Sequence, residues 1–313
     1  MIPDVLSVGR ISVDLYAQEP HVGFDAQQSF HKSVGGSPTN VAVAAARLGH
    51  SVLLATKVGE DAFGHYVNSR LEGWGVDTTY VGIAAGAQTP LAFAALTPPE
   101  TPTVVFYRGM AAPDTTLETT DVPEAIVRGA RVLWISQGSL AQGSTAETCL
   151  SWMALRSKDQ HTILDLDYRA SLWPGLAEAR SMAGRAIALA TVVVGNAEEC
   201  EVALGTSEPD AAADALLEAG VALAIIKMGA DGAMLATKHE RVIVAPTPID
   251  VVCGLGAGDA FGGALCHGLL TNLSLDDMGR LANAAGAHVA TQLTCADAMP
   301  TLGELSTMIG EAA

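Results

Sequence analysis

The 313-residue sequence is short of basic residues, of aromatic rings and of paired cysteines, and each shortage removes a class of function. Lys and Arg number 17 against 34 Asp and Glu, a formal net charge of −17. A surface of that sign repels nucleic-acid phosphates and anionic membranes, which are held by basic patches, so neither partner is expected. An anionic small molecule would need a few well-placed cations to draw it in. The five cysteines (Cys149, Cys200, Cys253, Cys266 and Cys295) are odd in number, widely spaced and form no CxxC pair. Neither a disulfide framework nor a zinc site is suggested. The longest apolar runs, Ala186–Val194 and Val221–Ile226, are too short to span a bilayer, and no signal-peptide core accompanies Asp4 and Arg10. The expectation is a soluble, cytoplasmic protein.

Hydrophobic residues make up 49% of the chain, aromatics only 5%, and glycine is abundant, which suits close packing of helices on a sheet. Short apolar runs at Asp4–Gly9, Leu53–Gly59, Val132–Ile135, Thr162–Leu166, Ala190–Gly195 and Ala222–Lys227 alternate with helical stretches. That alternation predicts an α/β fold: a central, mostly parallel sheet flanked by helices, in a single domain over residues 1–313. The texture changes where Thr89–Leu96 and Thr103–Arg108 flank the proline-rich turn Pro98–Pro102, a hairpin signal. With the extended stretch Tyr16–Val34 it predicts a small β-sheet lid, from roughly 12–36 and 89–112.

The densest chemistry lies in Cys253-Gly254-Leu255-Gly256-Ala257-Gly258-Asp259, which opens an apolar helical run from Ala260 to Leu270. A helix starting there points free N–H groups and its positive dipole end at an anion, most naturally a phosphate. Asp259 would repel that anion unless it removes a proton while the Gly256–Gly258 hole stabilises developing charge. A plain helix start with Asp in the first turn is the rival reading. Asp14, past the first strand, can accept a pair of sugar hydroxyls or be an ordinary turn acid. Ser37 is expected to cap a helix with Pro38 in its first position and Gly49 at its end. Asn40, in the first turn of that helix, either caps locally or meets a ligand. Asn196 and Glu199 share one face of a first turn, where they could hold hydrated Mg²⁺ or form a capping box. Asn283, among alanines and Gly286, either packs on backbone or touches a ligand. Arg108 and Arg169 are expected to face the cleft, where a guanidinium can grip a carboxylate or phosphate, although Arg169 could pair with Asp165 or Asp167 instead.

Taken together, Gly35-Gly36-Ser37-Pro38-Thr39-Asn40-Val41-Ala42, Asn196-Ala197-Glu198-Glu199, Lys227–Gly232, Gly256–Asp259 and Gly262–Leu265 resemble the PfkB (ribokinase-like) carbohydrate kinases, in the right order and over almost the whole chain. The resemblance implies a ribokinase-like fold and ATP-dependent transfer of the γ-phosphoryl group to a sugar hydroxyl. It makes Asp259 the base and the amides of Gly256, Ala257 and Gly258 the anion hole. Asp14, Gly35, Gly36 and Asn40 would bind the sugar. Asn196, Lys227, Gly229, Gly232, Gly256, Gly258 and Asn283 would lie along ATP, with Asn196 and Glu199 organising Mg²⁺, through water. Many members carry Asp-Thr where this chain has Cys253-Gly254, a departure that counts against a monovalent-cation site, although backbone carbonyls can serve. Phe106-Tyr107-Arg108 and Asp165-Leu166-Asp167-Tyr168-Arg169, with Leu172-Trp173, resemble the branch acting on keto-deoxy sugar acids. In an acidic chain, Arg108 and Arg169 would then hold the substrate carboxylate. A 2-keto-3-deoxygluconate kinase is the runner-up, then a neutral-sugar kinase such as a fructokinase, and a non-catalytic sugar or nucleotide sensor is the reading from another class. The family's lid contacts also leave a homodimer through the lid open.

Overall fold

The apolar runs become the strands of one large sheet, and the glycine-rich segments between them become the turns above it. In chain order, the computed structural model contains β1 (Val5–Val8), β2 (Ser12–Ala17), β3 (Phe30–Gly35), α1 (Ser37–Arg47), β4 (Val52–Gly59), α2 (Ala62–Gly73), β5 (Val76–Asp77) and β6 (Val81–Ala84). Next come β7 (Leu91–Ala95), β8 (Thr103–Tyr107), α3 (Glu124–Gly129), β9 (Val132–Ser136), α4 (Gly143–Ala154), β10 (His161–Asp165), α5 (Leu176–Ile187) and β11 (Val192–Asn196). Then follow α6 (Ala197–Leu204), α7 (Pro209–Glu218), β12 (Leu223–Lys227), β13 (Ala233–Ala236), β14 (Arg241–Val244), α8 (Ala257–Thr271), α9 (Leu275–Ala290) and α10 (Leu302–Glu311). The structure describes residues 2–109 and 111–311, so Met110, in the expected lid range, and the terminal residues 1, 312 and 313 lie outside it.

The large sheet runs β14-β13-β12-β11-β10-β9-β1-β4-β5, with β6 also paired to β4. From β12 to β5 the pairs are parallel, and β13 and β14 add an antiparallel edge. Val5 sits between Val52 of β4 and Val132 of β9. The chain therefore reverses its direction of growth at β1, a switch point of the kind where open α/β sheets bind ligands beyond the strand carboxyl ends. Strands this apolar require cover on both faces. One face packs against α1, α2, α8, α9 and α10, the other against α3 to α7. The alanine-rich α1 packs on α8 as well as on the sheet, and a Cβ at Gly263 would stand 2.2 Å from the Ala44 methyl. Any larger residue there would wedge the two helices apart and tilt the start of α8.

The second sheet has the order β3-β2-β7-β8, with β2 parallel to β7 and the other pairs antiparallel. The two-residue period sends Ser12, Asp14 and Tyr16, Ala92 and Ala94, and Val104 and Phe106 to one face, where they wall a cavity. One capping expectation is corrected. Gly36, with φ +97°, caps α1, and Ser37 is its first helical residue. The turn demands glycine because a Cβ at position 36 would come within 2.4 Å of the Arg10 carbonyl oxygen. Gly49, with φ +91°, follows the helix as expected. Among the described residues, no helix is long and apolar enough to cross a membrane.

Candidate active site

A cavity of about 330 Å³ opens between the small sheet and the carboxyl ends of the central strands. Its floor is the start of α8. Gly256 caps that helix in the left-handed region, φ +80°, with no side-chain cap, so the first-turn amides are left to point outwards. Around Gly258, a Cβ would meet only the Lys227 ammonium, at 3.4 Å, so the loop offers an open cradle backed by a cation. Asp259 rises from the same turn, and Asn40 Nδ2 donates a 2.7 Å hydrogen bond to its Oδ2. Burial and the charge of Asp167 push the Asp259 carboxyl up to about 6, against the pull of Asn40, Ser37 and Arg169. A carboxyl poised there is charged at neutral pH yet basic enough to take a hydroxyl proton.

The opposite wall comes from β2. Ser12 Oγ donates to Asp14 Oδ1 at 2.6 Å, and the Tyr16 hydroxyl lies 3.2 Å from Oδ2. Burial raises the Asp14 pKa, and Ser12, Tyr16 and Arg10 pull it back. Gly35 is the backing of this carboxylate: a Cβ there would lie 2.0 Å from Asp14 atoms. Asp14, Gly36, Asn40, Arg169, Gly256 and Asp259 all line the one cavity. Gly35, Ala257 and Gly258 adjoin it through their chain neighbours.

The cations depart from expectation. Arg108 is not on the cavity wall; its two terminal nitrogens bind Asp114 at 2.8 and 3.1 Å, and the pair is buried. Asp114, six residues on, takes both terminal nitrogens and leaves Nε buried without a partner, and Arg108 lines a neighbouring cavity that shares Val104 and Phe106. Arg10 occupies the wall instead. Arg169 reaches the rim, 46% exposed, with Nη2 3.0 Å from Asp167 Oδ1, and the charges of Asp167, Glu199 and Asp259 hold it firmly protonated. Sequence reasoning gives no role to Arg10 or Cys295, and singles out Phe106 only as part of the Phe106-Tyr107-Arg108 segment. A cation directly after the first strand, at the switch point, is the available signal.

Of the residues expected along the nucleotide, Asn196, Lys227, Gly229 and Gly232 lie at the ends of β11 and β12, outside the lining of this cavity. Asn196 and Glu199 form the capping box that rivals a metal role: the Glu199 N–H donates to Asn196 Oδ1 at 2.9 Å, and the Asn196 N–H to Glu199 Oε2 at 2.7 Å. Lys227 Nζ stands 3.6 Å from both Glu199 Oε2 and Asp165 Oδ1. Burial alone would lower its pKa, but Asp165 and Glu199 more than offset this. Burial drives Asp165 up to about 7 despite Lys227. Gly229 and Gly232 shape the turn after β12, and a Cβ at Gly232 would stand 2.0 Å from the Val244 carbonyl oxygen. Asn283 donates its amide to the carbonyls of Ala245 (2.8 Å) and Val244 (3.3 Å), the backbone-packing alternative. Among the described residues no cluster of three or more His, Cys, Asp or Glu is arranged to hold a metal.

An open anion cradle, a cation behind it and a carboxyl poised near neutrality suit phosphoryl transfer to a hydroxyl, where positioning and electrostatics supply nearly all of the catalysis. The model of the pfkB family carbohydrate kinases matches residues 3–302. The 5-dehydro-2-deoxygluconokinase of Shouchella clausii (strain KSM-K16) is 31% identical over 313 residues, covering 98% of this chain and 96% of the relative. That of Geobacillus thermodenitrificans (strain NG80-2) is 30% identical, covering 98% and 93%. Among solved structures, fructokinase with bound ATP from Xylella fastidiosa superposes with a TM-score of 0.86 at 25% identity, covering 98% of each chain. Aminoimidazole riboside kinase from Salmonella enterica, complexed with aminoimidazole riboside and an ATP analogue, gives 0.81 at 28%, covering 97% and 99%. The chain belongs to the pfkB family of carbohydrate kinases. It is an ATP-dependent sugar kinase with a ribokinase-like fold.

Proposed function

We propose that this kinase phosphorylates a hydroxyl of a keto-deoxy sugar acid, 5-dehydro-2-deoxygluconate, in the cytoplasm as a step of inositol catabolism. The observation that carries the catalytic part is Asp259, raised to about 6, held by Asn40 and set one turn into a helix whose amides face the cavity. The substrate choice is supported by the names of the relatives that match over nearly the whole chain. Asp259 takes the proton from the acceptor hydroxyl as the γ-phosphoryl group arrives, and the amides of Gly256, Ala257 and Gly258 stabilise the charge on that group. Asp14, braced by Ser12 and Gly35, orients the sugar with Gly36 and Asn40. Arg169 reaches from the rim toward the transferring phosphoryl.

Lys227, Gly229 and Gly232 border the nucleotide, Lys227 by neutralising phosphate charge beside Gly258, and Asn283 fixes the strand end against which it lies. The capping box commits Asn196 Oδ1 and Glu199 Oε2, so these residues fit Mg²⁺ only through its waters, which suits an ion that gives up water reluctantly. Bound there, Mg²⁺ would neutralise charge between the phosphates. The Cys253 thiol supplies no carboxylate for potassium, so turnover is expected without it. Residues 1–313 act as one unit in this reading, with the small sheet as a lid. Its outward aromatics, Phe30, Phe93 and Tyr107, stack edge to face and offer a surface for a homodimer.

Thermal-shift titration tests the reading. With Mg²⁺ and a non-hydrolysable ATP analogue present, 5-dehydro-2-deoxygluconate should raise Tm at lower concentration than fructose or 2-keto-3-deoxygluconate. Equal or better stabilisation by fructose would refute the sugar-acid assignment.

A further inference from the structure

Arg10 stands two residues beyond β1, where the strand order reverses. Its side chain is 8% exposed, and both Nε and Nη1 are buried without a hydrogen-bond partner. Asp167 Oδ2 lies 3.8 Å from Nη1, too far for a hydrogen bond, and that oxygen is itself buried and unpartnered. The guanidinium lies over the Phe106 ring, 5.4 Å from its centroid, on the wall of the cavity. Gly138 leaves room for it from behind, since a Cβ there would stand 2.8 Å from Nη1. A buried cation with unmet donors is costly in isolation, and a ligand that completes its bonds removes the cost.

We propose that Arg10 recognises the carboxylate of the sugar acid, gripping it with its fork of N–H donors, and that Arg108 serves only to brace it. The inference rests on the sugar-acid reading above and moves the recognition to a different residue. The two cavity arginines act at opposite ends. Arg10 lowers the pKa of Asp14, on the sugar side, whereas Arg169 lowers that of Asp259, on the phosphoryl side. Four carboxylates, Asp14, Asp167, Glu198 and Asp259, also line the cavity, so an anionic sugar would be repelled without a cation set among them. Arg108 does not line this cavity, and Asp114 holds both of its terminal nitrogens. The same Asp114 accepts the Ile11 N–H at 3.0 Å, so the Arg108–Asp114 pair pins the backbone next to Arg10. A guanidinium can grip a carboxylate with two parallel bonds, and a lysine there would keep the charge but lose one of them.

Arg10→Met and Arg10→Lys are compared with wild type by melting without ligand and by kcat/KM on 5-dehydro-2-deoxygluconate and on fructose, with Mg-ATP. The specificity ratio, sugar acid over fructose, should fall on the order of 100-fold in Arg10→Met, through KM more than kcat, and by less in Arg10→Lys. Ligand-free Arg10→Met removes two buried donors without hydrogen bonds but also the Asp167 ion pair and the Phe106 contact, so it should melt within a few degrees of wild type. An unchanged ratio in a folded Arg10→Met would overturn the proposal. So would a ligand-free variant that melts several degrees lower while Arg10→Lys keeps the wild-type ratio, since Arg10 would then be structural. A wild-type enzyme that prefers fructose would instead sink the sugar-acid reading itself, and the role of Arg10 with it.

Discussion

Replacing Asp259 with Asn should make the protein more stable and nearly inactive at neutral pH, and both effects should fade as the pH falls below about 6. The native carboxyl is raised from 3.8 to about 6, chiefly by burial. A tenfold change in proton affinity is worth about 1.4 kcal/mol, so the charged form costs the fold about 1–3 kcal/mol after allowing for relaxation. The sign follows from proton binding. The folded state holds this proton more tightly than the unfolded state, so the associated stability is fully present below pH 3.8 and is lost as pH rises through about 6. Asn keeps an acceptor for Asn40 and does not titrate. Asp259→Asn should therefore melt about 2–6 °C above wild type at pH 8. The gap should close toward pH 4. Turnover should fall by roughly 10²–10⁴ above about pH 6, the usual contribution of a general base, and by less at lower pH, where the wild-type carboxyl is itself protonated. Melting by calorimetry and ADP release by a coupled assay read the two quantities separately. Near-wild-type turnover would refute the base assignment. A variant that melts lower than wild type at pH 8 would refute the buried-charge argument.

Other consequences are equally specific. The acid limb of kcat/KM should reflect a group near 6, and Asn40→Ala should move that limb upward, because the Asn40 bond holds the Asp259 pKa down; a limb that stays put would remove Asn40 from the base's shell. Gly35→Ala would set a methyl 2.0 Å from the Asp14 carboxylate, so KM for the sugar should rise at least tenfold while KM for ATP changes little. Equal effects on both would count against Asp14 as a sugar ligand. The Gly254 N–H donates to the Pro99 carbonyl at 2.9 Å, and a Cβ at Gly254 would stand 2.0 Å from the Glu100 carbonyl oxygen. Gly254→Ala should lift the proline-rich tip, speed amide exchange at the Gly254 N–H and lower kcat several-fold. Unaltered exchange would show that the tip does not depend on this contact.

The parts of the site legible in the sequence are those set by local rules. Gly256–Asp259 can be read as an anion-binding helix start because cap, dipole and acid lie within four residues. Asn196 and Glu199 carry a capping box in their spacing, and the structure forms it. The alternating βα pattern is enough to predict a mostly parallel sheet, and the hairpin around Pro98–Pro102 points to a second, smaller one. What local rules miss depends on contacts between distant segments. Gly36, and not Ser37, caps α1 because the Arg10 backbone crosses it, some 26 residues earlier in the chain. Arg108 looks available in the sequence because its partner Asp114 lies six residues on and shares no helix or strand with it. Arg10 is easily overlooked since a cation beside a strand end is ordinarily solvated, and only the small sheet folding over it, with Phe106, makes it a buried wall.

The central claim is that a sugar acid is the acceptor, and steady-state turnover tests it most directly. With Mg-ATP, the purified protein should show a higher kcat/KM for 5-dehydro-2-deoxygluconate than for 2-keto-3-deoxygluconate, fructose or ribose, by tenfold or more over either neutral sugar. A neutral sugar turned over more efficiently than both acids would contradict it, leaving a sugar kinase whose arginines serve some other anion.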